Sequence, residues 1–169
     1  MSDRDKAFAE YFAARSGAMR GTAYLLCGDW HRAEDLVQTA FVKLYLVWHR
    51  VARHEVLDNY VRQILVRTFL DERRRGWWRR ERVGGDNAEH PAPPNAPENR
   101  LVLLRALASV APRQRAVLVL RYWEDLSVEE TAALLRCSPG TVKSQAARGL
   151  DTLRGLLAPT HSGIEMGER

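Results

Sequence analysis

The stretch from Arg82 to Asn99, RVGGDNAEHPAPPNAPEN, constrains this chain more than any other feature. It holds four prolines and two glycines and almost no large apolar side chain. Proline fixes φ and removes a backbone donor, and a segment this polar cannot bury enough apolar surface to offset the entropy of ordering it. Residues 82–99 are therefore expected to form a flexible linker. The linker divides the chain into a module over 1–81, a second over 100–157 and a C-terminal tail, 158–169, without periodicity. At 169 residues, with 46% hydrophobic side chains, the chain supports two small domains with a modest core each.

Both modules read as helix, because strand-type alternation is missing and β-branched residues do not cluster between turns. Asp5 to Leu26 forms one helical pattern with Phe8, Phe12, Met19, Ala23 and Leu26 as candidate core. Cys27-Gly28-Asp29 breaks it: Gly28 suits a C-terminal cap, and Asp29 can accept amide protons from the next helix. Ala33, Leu36, Val37, Ala40, Phe41, Leu44, Val47 and Trp48 then recur at three and four, a single apolar stripe. Leu57, Val61, Ile64, Leu65, Thr68 and Phe69 repeat the pattern in a third helix that runs into RRRGWWRR.

The second module opens with a helix over Pro97 to Val110, and Pro112 starts another over Arg113 to Trp123. Ser127 with Glu130 three residues later is a capping box for a helix ending near Leu135. Arg136-Cys137 is a tight connection. Ser138 caps again, Pro139 takes the first helical position, and a last helix runs to about Leu157.

Three constellations could carry function. The capped pair of helices from Ser127 to Leu156 has the spacing of a helix-turn-helix, which presents its second helix to a major groove. Thr141, Lys143, Ser144, Gln145 and Arg148 fall on the exposed side, with Val142, Ala146, Leu150 and Leu153 opposite. Lys and Arg suit guanine edges or phosphates, and Gln suits adenine edges. No acid occurs from Ser138 to Gly149, which favours DNA over an ordinary solvated hairpin. The second constellation is the run from Arg62 to Arg82, eight arginines against three acids, with Trp77 and Trp78 inside it. Arginine beside aromatics suits phosphates together with stacked, unpaired bases; a solvated helix end is the plainer alternative. The third is the polar side of AEDLVQTAFVKLY, where Asp35, Gln38 and Val42 share a face apart from the core stripe.

Other classes find no support. The five histidines are scattered and none sits at metal-ligand spacing, so no metal or other cofactor is expected. There is no phosphate loop, nucleophile elbow or paired-carboxylate motif, so no enzyme is expected. Cys27 and Cys137, far apart and without CxxC, read as small buried hydrophobes in a reducing compartment. The charged N-terminus has no apolar signal core and no run is long enough to span a membrane, which predicts a cytoplasmic protein without membrane insertion. A net charge of +5 fits an anionic partner.

Two of these runs, on either side of the linker, resemble the sigma-70 family, and its compact extracytoplasmic-function group in particular. AEDLVQTAFVKLY resembles the family's second region, whose helix docks on the clamp helices of the largest polymerase subunit. NYVRQILVRTFLDERRR is similar to the helix that reads the minus-ten element, with Arg67 departing from the Asn that many members carry. PRQR, LRYWEDLS, EETAALL and SPGTVKS, in that order, look like the fourth region, which binds the minus-thirty-five element. TAYLLCGDWHRAEDLVQTAFVKLY is most similar to the SigE-like actinobacterial subgroup.

The resemblance implies an all-α protein whose two helical domains lend promoter specificity to RNA polymerase and promote DNA melting. It implies polymerase contacts at Asp35, Leu36, Gln38, Phe41 and Val42. Minus-ten contacts are implied at His49, Arg50, Asn59, Arg62, Arg67, Arg74 and Arg75, including a loop from His49 to Asp58 that holds a flipped base. Minus-thirty-five contacts are implied at Arg136, Thr141, Lys143, Ser144, Gln145 and Arg148. The implied partners are the polymerase core (clamp helices and the flap of the second-largest subunit), promoter DNA and an anti-sigma factor. The alternative is a helix-turn-helix regulator that binds operators without polymerase, which leaves the AEDLVQ helix and its arginine-rich successor without a role.

Overall fold

The computed structural model describes residues 1–51, 54–83 and 98–158; along 54–55 and 77–83 only the backbone is described. The described elements are helices and their connections. Helix α1 (Asp3–Cys27) starts two residues before the expected Asp5, because Ser2 and Asp5 form a capping box that periodicity alone does not reveal. It ends at Gly28, whose φ of 73° is the left-handed conformation a glycine cap provides. Asp29 caps α2 (Trp30–Val47), accepting from the amides of His31 at 2.8 Å and Arg32 at 3.4 Å. A 3-10 turn, Trp48–Arg50, leads toward α3 (His54–Val83).

Helix α3 begins earlier than expected, so the loop from His49 to Asp58 is shorter: Leu57 and Asp58 are already helical. Leu57 is buried in the core. Asp58 accepts from the Tyr11 hydroxyl at 2.6 Å and from both Nε (3.0 Å) and Nη2 (2.6 Å) of Arg15, which ties α1 to the start of α3. Burial, and then the bond to Asp58, raise the Tyr11 pKa, so the phenol remains a donor.

The interior of the first half follows the predicted stripes. Met19, Ala23 and Leu26 of α1 meet Leu36, Ala40 and Leu44 of α2 and Val61 and Leu65 of α3. Two expected core residues differ. Phe12 is 38% exposed, and Phe8 is only partly buried. They edge an aromatic cluster in which Phe8 meets Trp48 at 5.3 Å and Phe12 meets Phe41 at 4.9 Å, both edge-on.

In the second half, α4 (Glu98–Ala108) and α5 (Pro112–Leu118) come first. The helix expected to continue to Trp123 loosens after Leu118 into a π-helical turn, Val119–Trp123. The amides of Glu124 and Leu126 bond back to the carbonyls of Val119 and Leu120 at 3.0 Å each, and the Arg121 guanidinium donates to the Leu126 carbonyl. Helix α6 (Val128–Leu135) carries the predicted Ser127–Glu130 capping box. Arg136, at φ 55°, ends it in the left-handed region. Ser138 caps α7 (Pro139–Leu157).

Helix α7 crosses α5 closely at Gly149: a Cβ there would lie 2.9 Å from Leu118 Cδ1 and 3.1 Å from its Cγ. Gly149→Val is expected to cost about 2 kcal/mol by overpacking, seen as a lower urea midpoint.

The two halves do not stand apart. One continuous apolar cluster includes Leu26, Leu65 and Phe69 of the first half and Leu107, Val110, Leu118 and Leu120 of the second. The linker expected over 82–99 lies largely outside the described residues; at its ends α3 runs through Val83 and α4 begins at Glu98, so Arg82, Val83, Glu98 and Asn99 are helical. The tail beyond Ala158 also lies outside the described residues. Cys27 is buried as expected, whereas Cys137 is only partly buried, beside the Val117–Ala132–Val142 cluster; both are free thiols.

Candidate nucleic-acid and partner interfaces

Helix α2 turns its core stripe inward, which leaves Asp35, Gln38 and Val42 on the solvent side. Val42 is 60% exposed. With Phe8, Phe12, Gln38, Phe41 and Tyr45 it lines an apolar groove of about 400 Å³. Leu36 and Phe41, expected as docking residues, are 1% and 2% exposed. Leu36 is a core residue and offers no surface to a partner, and Phe41 contributes only the floor of the groove, because both lie on the stripe that packs against α1. Sequence reasoning missed Phe8, Phe12 and Tyr45 as groove walls. Arg4 and Asp5 hold Tyr45 in place: the Asp5 carboxylate accepts the Tyr45 hydroxyl at 2.7 Å, and the Arg4 guanidinium lies 5.0 Å from its ring centroid. The bond from Tyr45, with those from Ser2, lowers the Asp5 pKa.

The basic face of α3 is divided. Arg74 and Arg75 are exposed, as are His49 and Arg50 on the 3-10 turn and Asn59 near the start of α3. Arg62 is engaged: its Nε donates to Glu124 at 2.6 Å and its Nη1 to the side-chain Oδ1 of Asn59 at 2.9 Å. Arg67 donates to the Leu134 carbonyl at 3.4 Å, and burial with Arg136 nearby lowers its pKa. Thus Arg62 and Arg67, expected to be free for DNA, face the second half of the chain. The side chains of Trp77, Trp78, Arg79, Arg80 and Arg82 lie outside the described residues.

Helix α7 exposes Lys143, Ser144 and Arg148, with Thr141 and Gln145 half-buried. Val142 is buried, and Ala146, Leu150 and Leu153 pack inward as the periodicity predicts. Arg136 is exposed at the connection. Gln145 and Arg148 share a cleft of about 520 Å³ with Arg73, Arg74 and Arg113, so basic residues of both halves converge there.

Three residues that hold the halves together escaped sequence reasoning. Arg115 is 3% exposed, and its guanidinium donates to the carbonyls of Leu26 at 2.6 Å, Ala108 at 2.8 Å and Val110 at 2.8 Å. It also lies 5.8 Å from the Phe69 ring centroid. Burial, with Arg73 close by, lowers its pKa to about 10, so it remains charged at neutral pH. Glu124 accepts from Arg62 and from the hydroxyl of Thr22, which is fully buried. A signal existed for Arg115 alone, a cation at the head of the apolar run RAVLVL. Among the described residues no cluster of His, Cys, Asp or Glu could hold a metal, and no helix is long and apolar enough to cross a membrane.

Comparison with known proteins agrees with this arrangement. The family model described as Sigma-70 region 2 matches residues 12–79, and that described as Sigma-70, region 4 matches 100–153. The chain is 39% identical over 153 residues to an RNA polymerase sigma-E factor of Streptomyces avermitilis, covering 87% of this chain and 83% of that one. The sigma-E factor of Streptomyces coelicolor is likewise 39% identical, with 87% and 84% covered. Among solved structures, the sigma factor RpoE bound to the anti-sigma factor NepR from Bartonella quintana superposes with a TM-score of 0.74 at 26% identity, over 92% of this chain and 99% of that one. Matched in both regions, in their order, the chain belongs to the sigma-70 family and is similar to the sigma-E factors within it.

Proposed function

We propose that this chain directs core RNA polymerase to specific promoters and promotes DNA melting there, without catalytic chemistry of its own and in the cytoplasm. The observation that carries this reading is the joint presence, in one chain, of three exposed faces: the side of α2 that carries Asp35, Gln38 and Val42, the Arg74–Arg75 stretch of α3 and the acid-free start of α7. A regulator acting without polymerase needs only the third. The groove of α2 docks on the polymerase clamp helices, and the second half meets the flap of the second-largest subunit. His49, Arg50, Asn59, Arg62, Arg67, Arg74 and Arg75 serve the minus-ten element, where stacking lost from a flipped base, a few kcal/mol, is offset by protein contacts. Arg136, Thr141, Lys143, Ser144, Gln145 and Arg148 serve the minus-thirty-five duplex. Modules 1–81 and 100–157 are the units that carry these roles, and 82–99 sets the reach between them. The likeness to a sigma factor solved with an anti-sigma factor supports a partner of that kind here.

Run-off transcription of genomic DNA by core polymerase, with and without the chain, tests the proposal. New start sites that depend on the chain are expected, and an unchanged start-site pattern overturns it. Replacing Arg74 and Arg75 with Ala is expected to lower the slope of log affinity against log salt by about one for each phosphate contact removed. Promoter-complex titrations at several salt concentrations measure this; an unchanged slope rules out phosphate contacts at these positions.

A further inference from the structure

We propose that a cavity between the two halves is a binding site for a small phosphate-bearing anion, held by Arg32, Arg73 and Arg115. The cavity, about 350 Å³, lies where the end of α1, the start of α2 and the middle of α3 meet the connection from α4 to α5. That volume falls within the range of small-molecule sites, roughly 300–1,000 Å³. None of the three arginines is among those assigned to promoter DNA.

The charge of the cavity is lopsided. Among the described residues that line it, the guanidiniums of Arg32, Arg73 and Arg115 stand against one carboxylate, that of Glu72. Arg115 is buried, Arg73 half-buried and Arg32 exposed, so the cations run from the inner wall to the mouth. Phe69 lies beside the inner two: the guanidinium carbons of Arg73 and Arg115 are each 5.8 Å from its ring centroid. Arg115 uses its terminal nitrogens on the carbonyls of Leu26, Ala108 and Val110, and its Nε is buried without a hydrogen-bond partner among the described residues. A buried donor in that state is costly, and it adds to what an acceptor in the cavity can gain.

Guanidiniums this close repel one another. Burial lowers the Arg115 pKa, and the nearby Arg73 lowers it further. Burial raises the pKa of the Cys27 thiol, on the same cavity wall, while Arg32 and Arg73 act against that rise. A cationic field thus fills the cavity, and the carbonyls that hold Arg115 carry no formal charge to cancel it. A bound oxyanion relieves the repulsion. Phosphate suits the site because its oxygens match the planar fork of arginine and accept charge-assisted hydrogen bonds from more than one guanidinium at once. Val110, Ala111 and Pro112 add apolar wall beside the cations. A phosphate monoester, whose organic group covers that wall, therefore fills the cavity better than the free ion.

Isothermal titration calorimetry on the full chain, at an ionic strength held constant with potassium chloride, tests this with two probes: inorganic phosphate and a nucleoside 5′-monophosphate. Saturable binding of both is expected, with the monophosphate tighter; a response to inorganic phosphate alone assigns the same site to the free ion. Arg32→Gln and Arg73→Gln are each expected to weaken binding about tenfold, as loss of one charge-assisted bond implies. Arg32 is exposed, so its replacement is expected to leave the urea midpoint unchanged. Glu72→Gln removes the acid and is expected to tighten binding about threefold, a gain that damage to the fold does not produce. Lys143→Ala, outside the cavity, is expected to leave the affinity as it is. No saturable binding of either probe overturns the proposal. So does an affinity unchanged by Arg32→Gln, Arg73→Gln and Glu72→Gln, which places the anion on the DNA-facing arginines instead. These titrations need neither polymerase nor promoter, so they stand apart from the run-off test of sigma activity.

Discussion

Replacing Arg115 with Ala is expected to lower the unfolding free energy by roughly 3 kcal/mol or more. Its guanidinium is the donor to three carbonyls, at Leu26, Ala108 and Val110. Truncation deprives the buried Leu26 and Val110 carbonyls and the part-buried Ala108 carbonyl of that donor and opens a cavity beside Phe69. Arg115→Met separates the two effects, because it fills volume without donating. Arg115→Lys keeps the charge but gives up the planar fork that reaches several acceptors at once, so it is expected to recover only part of the loss. Urea unfolding followed by circular dichroism measures all three; an Ala variant within about 1 kcal/mol of wild type contradicts the assignment.

The pH dependence of this contribution has a definite sign. The folded pKa, about 10, lies below the ordinary arginine range, so in the interval between them the unfolded chain binds more protons and stability rises with pH. Below that window Arg115 is charged in both states and adds no pH dependence, so its contribution is flat around neutrality.

Val42→Asp is expected to weaken binding to core polymerase by roughly a hundredfold or more, through a carboxylate placed in the apolar groove of α2. Because Val42 is 60% exposed, fold stability should change by no more than about 0.5 kcal/mol. Leu36→Ala is expected to do the reverse. Leu36 is 1% exposed, and its truncation costs about 2–5 kcal/mol of stability with no direct effect on docking. Co-purification with core polymerase, alongside urea unfolding, distinguishes the pair. Full polymerase binding by Val42→Asp removes the groove from the interface.

Much of the molecule was legible in the chain because its signals are local. Ser127 with Glu130, Ser138 with Pro139, and Gly28 with Asp29 each satisfy amides or carbonyls a few residues away, so helix ends follow from neighbours in sequence. The stripe of α2 predicts both its buried side and the exposed Asp35, Gln38 and Val42. The π-helical turn was not legible, since VLVLRYW continues a helical pattern, whereas Glu124 just beyond it bonds to Thr22 and Arg62, far away in sequence. Periodicity also misplaced Phe12: its position on the wheel is apolar, but it meets Phe41 only edge-on, stays 38% exposed and became a groove wall.

The sequence alone determined the two helical units, the order of their motifs and the family, because apolar period, capping residues and charge runs act within a few turns of helix. Only the tertiary structure decided which arginines are free. Arg62 and Arg74 stand in one basic run, yet the first is paired across the halves and the second is exposed. The difference arises because Arg62's partner, Glu124, lies 62 positions away, and a contact at that separation is fixed by how helices pack and not by any pattern along the chain.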